Sequence, residues 1–119
     1  MAVVKKAGTA GPVLPKQTVE VEPLGGDVIV RGLLLVELLG VQQRIASLHQ
    51  ANKGGDHAAS VSEIVPDVLA LCVLDADGVS LFSRAEWQIF GGQHQGAALN
   101  LFNIAWRLSG MDKAATAKN

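Results

Sequence analysis

The chain has 119 residues, of which 49% are hydrophobic and 18% charged, with a formal net charge of −1. That length suits a single domain, and that apolar share excludes disorder for the chain as a whole. Lys and Arg are scattered rather than gathered into a basic stripe, which excludes the usual electrostatic footprint of a nucleic-acid binder.

In chain order, Met1 to Lys16 is rich in Gly, Ala, Pro and Thr and has no sustained period, so it is expected to be a flexible N-terminal arm. Lys5 and Lys6 have no apolar run behind them, and no signal peptide is expected. Thr18-Val19-Glu20-Val21-Glu22 alternates apolar and charged residues, the period of a half-buried strand. Pro23-Leu24-Gly25-Gly26-Asp27 supplies turn residues, and Val28-Ile29-Val30-Arg31 is a second β-branched run. Together they predict a β-hairpin.

Gly32 ends that strand, and a helix is expected from Leu33 to Ala51, with Leu34, Leu38, Val41, Ile45 and Leu48 on one face. Leu33, Leu35, Val36 and Leu39 extend the apolar surface almost around its first turns, so the domain itself or another chain must cover it. Asn52 to Asp56 reads as a mobile loop. A second helix is expected from near Ser60 or Ser62, with Ser62 as N-cap, Glu63 behind it and Pro66 in the first turn. The run Val68 to Leu74 is the most buried stretch expected.

Asp75-Ala76-Asp77-Gly78 predicts a tight turn, with Val79 to Phe82 extended after it. Ser83, with Glu86 three positions on, predicts a capping box for a short helix from Arg84 to Phe90, ended by Gly91-Gly92. A last helix, Gln95 to Leu108, places Leu99, Phe102, Ala105 and Trp106 on one face and stops at Gly110. Met111 to Asn119 is expected to be a flexible tail, which leaves a single domain over residues 17–110. The elements predict an α+β fold, mainly α: a small N-terminal β-hairpin, a short turn and extended segment, and about four helices.

Motifs for chemistry are missing from this pattern. Asp75, Asp77 and Glu86 stand where a calcium loop has its first, third and twelfth ligands, but Val79 and Ser80 occupy the places of an oxygen ligand and the glycine. A turn closed by Asp side chains is the better reading. His49, His57 and His94 form no pair at metal-ligand spacing, and no phosphate-binding glycine loop or nucleophile elbow is present. The single cysteine, Cys72, lies in an apolar run and reads as a buried, inert thiol. No segment approaches the ~20 apolar residues that cross a bilayer. A soluble, non-enzymatic binding domain with no cofactor, no nucleic-acid partner and no membrane partner is expected.

Aromatic residues supply only 4% of the chain, so aliphatic side chains must build the core, and their surplus predicts apolar surface reserved for a partner. Leu35, Leu39, Phe102 and Trp106 are the candidates for that surface. Trp87 and Trp106 fit either core packing or an interface anchor. The same periodicity that nominates Leu35 and Leu39 for a partner also fits core residues.

Two segments resemble the tail assembly chaperones of long-tailed, siphovirus-type bacteriophages. One is Val19-Glu20-Val21-Glu22-Pro23-Leu24-Gly25-Gly26-Asp27-Val28-Ile29-Val30-Arg31-Gly32-Leu33, a strand, a Gly-Gly turn and a strand ending in Val-Arg-Gly-Leu before a helix. The other runs from Leu71 through Asp75-Ala76-Asp77-Gly78 and Leu81-Phe82-Ser83 to a final helix with Leu99-Asn100-Leu101-Phe102 that closes at Leu108-Ser109-Gly110. The resemblance covers about Val19 to Met111, and the helix after Gly32 departs from it in being Leu-rich.

The resemblance implies a non-enzymatic protein of the host cytoplasm that binds the tape measure protein and keeps it soluble. It implies help to the tail tube protein in assembling around that partner, departure before the virion is finished, and the shorter of two products where a frameshifted one is made. Self-association is a further expectation. The second reading is a structural head–tail connector or tail completion subunit, which would stay in the particle.

Overall fold

The computed structural model describes residues 13–51 and 57–111; the expectations for residues 1–12, 52–56 and 112–119 lie outside these. Strands β1 (Lys16–Val21) and β2 (Gly26–Arg31) form the expected hairpin, antiparallel, with Val19 opposite Val28 and Lys16 opposite Arg31. Alternation turns Val19, Val21, Val28 and Val30 into the core and leaves Thr18 and Glu20 in solvent. A short 3₁₀ turn, Glu22–Leu24, joins them, and Gly25 closes it with its N–H on the Glu22 carbonyl at 2.9 Å. The pairing begins earlier than expected: Lys16 is already in β1, and the Pro15 carbonyl accepts from the Gly32 N–H at 2.9 Å. Pro15 and Lys16, placed in the expected arm, are therefore part of the hairpin.

A third strand, β3 (Val73–Leu74), lies antiparallel on the other side of β2, giving the order β1-β2-β3. The sequence shows no break between the preceding helix and this strand, which is held extended by pairing to Ile29 and Val30 on one side and to the segment at Ser80 and Leu81 on the other. The turn that follows is the expected one. The Asp75 carboxylate accepts from the backbone N–H of Asp77 at 2.8 Å and of Val79 at 3.0 Å, and Gly78 has φ 82°. Ser80 then bridges back to Leu74.

The described residues hold four α-helices. Helix α1 (Leu35–Ala51) starts two positions after the Leu33 anticipated, because Leu33 is drawn into the core and Leu34 takes the capping position. There the Leu34 carbonyl receives the Leu38 N–H, and the Leu34 N–H is met by the Glu37 carboxylate at 2.9 Å. Leu38, Val41, Ile45 and Leu48 pack inward as expected, but Leu34 stands outside that stripe and is exposed.

Helix α2 (His57–Cys72) starts before Ser60 and Ser62, neither of which caps it. Ala58 and Ala59 are strong helix formers and carry the helix past the caps that sequence suggested. Pro66 consequently lies in the interior of α2 rather than in its first turn. Such a proline costs about 3 kcal/mol through its missing N–H and its ring, and here the ring is buried, which offsets part of that cost.

Helix α3 (Arg84–Gln93) has the predicted capping box: the Glu86 N–H reaches the Ser83 hydroxyl at 3.2 Å, and the Ser83 N–H reaches the Glu86 carboxylate at 2.9 Å. It does not end at Gly91-Gly92 but runs through both, since Gly91 packs toward Ala98 of α4 (Gln95–Trp106). His94 is the whole joint between the two. Its N–H closes α3 on the Phe90 carbonyl at 2.7 Å, and its carbonyl receives the Ala98 N–H at 3.0 Å. Helix α4 widens into a π turn (Arg107–Met111), within which Gly110 leaves helical geometry with φ 82°. Its buried face is Ala98, Leu101, Phe102, Ile104 and Ala105; Leu99, expected on that face, is exposed.

The fold is thus α+β and mainly α. The sheet lies against α2 and α4, with Val30, Ile64, Val68, Leu69, Cys72, Val73 and Leu101 at the centre of the core.

One junction holds the two ends of this core together. A Cβ on Gly32 would stand 2.6 Å from the Leu108 carbonyl oxygen, too close for any other residue. Beside it the Leu33 N–H donates to the Ser109 hydroxyl at 2.9 Å, which in turn donates to the Ala105 carbonyl at 2.7 Å. Two glycines therefore serve for different reasons, Gly32 for close approach and Gly78 for its φ, with open space around a Cβ at Gly78.

We expect Gly32→Ala to destabilise the domain by about 1–3 kcal/mol in urea unfolding, through overpacking against backbone. Unchanged stability would mean that Gly32 and Leu108 are not in contact in solution. Gly78→Val should cost roughly 1 kcal/mol or more through positive φ alone. A neutral result there would rule out the left-handed turn.

Candidate functional site

Helix α1 faces α2 with Leu38, Val41, Ile45 and Leu48, and its charged side chains also turn toward the domain. The Arg31 guanidinium grips the Glu37 carboxylate with two hydrogen bonds, of 2.9 and 3.0 Å. That contact and the Leu34 N–H hold the Glu37 carboxyl below the usual carboxylate range, against a smaller push from burial. The pair's contribution is therefore present above the ordinary carboxylate pKa and fades as pH falls through the lowered one. Farther along, Arg44 forms an ion pair at 2.9 Å with Asp67 of α2, a carboxylate that Arg84 of α3 also engages.

The first turns of α1 are left with an aliphatic outer face, while Arg44 farther along stays exposed beside its ion pair. Leu35 is 70% exposed, Val36 76%, Leu39 54% and Leu34 51%. The exposed surface of α1 continues through small and polar residues and one charged side chain, Arg44. Single exposed leucines are commonplace, but a contiguous group at one end of a helix is informative. Covering one such side chain is worth about 1.5–3 kcal/mol, so the group can supply much of the affinity for an apolar partner.

The four residues nominated from sequence fall into two pairs. Leu35 and Leu39 lie on this outer face. Phe102 and Trp106 lie on α4 with their rings stacked, centroids 5.4 Å apart. Phe102 is only 7% exposed and belongs to the core, out of reach of a partner unless the domain opens. Trp106 is half-buried against it. Trp87 proves to be a core residue at 1% exposure, edge-on to Phe82 and Phe90.

Sequence reasoning placed Leu34 on the inner face, counted Val36 in the apolar surplus without nominating it for a partner, and missed the Arg31–Glu37 pair. Glu37 carried a usable signal, an acid in the first turn of a helix that lacks a Ser, Thr, Asp or Asn cap.

An open groove of about 310 Å³ runs between α2, α3 and α4, floored by Val65, Pro66, Trp87 and Ala98 and edged by Gln88 and Gln95. The buried indole N–H of Trp87 has no acceptor within the described structure. A depression of about 450 Å³ lies at the end of the sheet beside Leu14, Lys16, Arg31 and Leu74.

Among the described residues no group of His, Cys, Asp and Glu could hold a metal ion, and no helix is long and apolar enough to cross a membrane. Cys72 is fully buried, and desolvation pushes its thiol up to about 12. Comparison with known proteins found no matching family model, no matching curated protein and no matching solved structure.

The buried thiol gives a pH signature with a definite sign. The folded state holds its proton where the unfolded chain, with an ordinary value of 9.0, releases it. Above about pH 9 stability should therefore fall with rising pH, by up to about 1.4 kcal/mol per pH unit from this group. Cys72→Ala should flatten that slope in unfolding measurements across pH 9–11; an unchanged slope would place the alkaline loss elsewhere.

Proposed function

We propose that this chain is a tail assembly chaperone of a long-tailed bacteriophage. In this reading it is a non-enzymatic protein of the host cytoplasm that needs no cofactor. It covers apolar segments of the tape measure protein, keeps that long partner soluble until tail tube protein assembles around it, and leaves before the virion is complete. The observation that carries the reading is the uncharged aliphatic cluster of Leu34, Leu35, Val36 and Leu39 on the outer face of α1. A chaperone for a long, apolar client needs a broad surface that can be covered and uncovered, not a deep polar pocket.

The sequence resemblance supplies the identity of the client. Its two segments meet in the fold: the Arg31-Gly32-Leu33 end of the first lies against Leu108 and Ser109 at the close of the second. Phe102 drops out as a contact residue in this proposal, and Leu35 and Leu39 remain with Leu34 and Val36 beside them.

Co-expression with the tape measure protein tests the reading through the fraction of that protein left in solution. The wild-type chain should raise the soluble fraction severalfold. Leu35→Asp combined with Leu39→Asp should abolish the effect, with circular dichroism unchanged and stability altered by about 0.5 kcal/mol or less per substitution, as for ordinary surface positions. Full solubilisation by the variant would move the binding surface off α1. Stoichiometric presence of the protein in purified virions would replace the chaperone reading by that of a connector or tail completion subunit.

A further inference from the structure

We propose that strand β1 is a self-complementary edge, to which a second copy of the chain adds antiparallel with Thr18 on the twofold axis and each Lys16 opposite Glu20 of the other copy. The inference concerns the free protein and does not depend on what its client is. It starts from the phase of the hairpin. The Gly32 N–H donates to the Pro15 carbonyl, and the register runs from Lys16 opposite Arg31 to Val21 opposite Gly26. Antiparallel bonding alternates along a strand, so Gln17, Val19 and Val21 bond to β2, whereas Lys16, Thr18 and Glu20 hold their N–H and C=O groups outward. Strand β1 is the edge of the sheet, and among the described residues no backbone bond reaches those outward groups. Helices α2 and α4 lie chiefly over β2 and β3 rather than over this rim.

Charge identifies the occupant. Within the hairpin Lys16 stands opposite Arg31 and Glu20 opposite Asp27, two like-charged pairs of the kind that weakens a ladder. Arg31 is satisfied by Glu37, but Lys16 and Glu20 have no ion-pair partner among the described residues. Both are exposed, as is Thr18 midway between them. A second β1 running antiparallel therefore sets Lys16 opposite Glu20 at both ends and Thr18 opposite Thr18 in the middle. In that same register all three outward residues of each strand exchange their backbone bonds. Directly opposite Cβ atoms stand about 4.5–5.5 Å apart, close enough for the ion pairs to form. Charge on an edge strand ordinarily guards it against pairing. Here the two signs are placed so that the copy is attracted.

Symmetry limits the assembly to two chains. The contact is isologous, so one pairing uses up the free edge of both copies. The other edge of the sheet is closed within the chain: the Val73 carbonyl accepts from the Leu81 N–H at 3.1 Å, and Leu74 is bridged by Ser80. Two three-stranded sheets are thus joined into one, and no fibre can grow.

In strand addition the backbone bonds carry the affinity and the side chains the specificity. The dimer should be reversible, largely dissociated at about 10 µM and largely formed at about 500 µM.

Sedimentation velocity on the purified chain across that range tests the proposal. Lys16→Glu or Glu20→Lys alone sets like charges opposite one another at both ends, and each should weaken the dimer by about tenfold or more. Mixing the two variants in equal amounts should restore association as a heterodimer, since every Lys then faces a Glu. Neither substitution should lower Tm in dilute solution, because each replaces a like-charged pair inside the hairpin by an opposite one. Loss of the dimer then cannot be traced to unfolding. A wild-type chain that stays monomeric at about 500 µM overturns the proposal. So does a dimer that survives both single substitutions, or a mixture of the two variants that stays monomeric.

Discussion

Where β2 gives way to α1, the backbone of Gly32 lies so near the Leu108 carbonyl that a Cβ there would stand 2.6 Å from the oxygen. The start of α1 and the end of α4 are both fixed by this contact. It brings the turn that follows α4 against the exit of the central strand, and Leu33 is held there by its N–H on Ser109. With Leu33 buried, α1 can begin only at Leu35, and its first turn must be capped from within. Glu37 does this and binds Arg31 as well, so one carboxylate links the strand, the junction and the helix. The sheet is small, and a hairpin of this size is marginal by itself. It is stable because α2 and α4 close over the face carrying Val19, Val21, Val28 and Val30.

The distribution of charge on α1 follows from the same arrangement. Arg31 and Asp67 stand on the elements that α1 crosses, and each draws one charged residue of the helix toward the domain. A surface helix ordinarily keeps its charges outward and its aliphatics inward. Here the inner side takes both the usual aliphatic stripe and Glu37, and the solvent side of the first turns is left with leucine and valine. Exposure of that face is the consequence of how the rest of the helix is held.

Signals confined to a few neighbouring residues were legible in the sequence. The alternation of Val19 and Val21 with Thr18 and Glu20 specified β1, Ser83 with Glu86 specified the start of α3, and Asp75 to Gly78 specified a turn. Features set by distant partners were not. Pro66 looked like a first-turn residue because the helix start was read from nearby serines, while its ring is accommodated by burial in the interior of α2. Gly91-Gly92 looked like a stop because the approach of Ala98 could not be seen. The site divided in the same way. Periodicity marked Leu35 and Leu39 as apolar surface in excess, but it could not separate them from core residues, since Leu33 two positions earlier is buried. Only the course of the chain into α1 distinguishes them.

The bond between Leu33 and Ser109 joins residues 76 positions apart. During synthesis, the N-terminal hairpin and the first leucines of α1 leave the ribosome long before the turn that secures them. At about 5–20 residues per second, those apolar side chains wait several seconds without their final neighbours. The segment around Ser109 is thus made after the apolar surface it secures, and the growing chain presents that surface until it arrives. A protein proposed to shield another chain's apolar segments passes through a comparable exposure before it can begin.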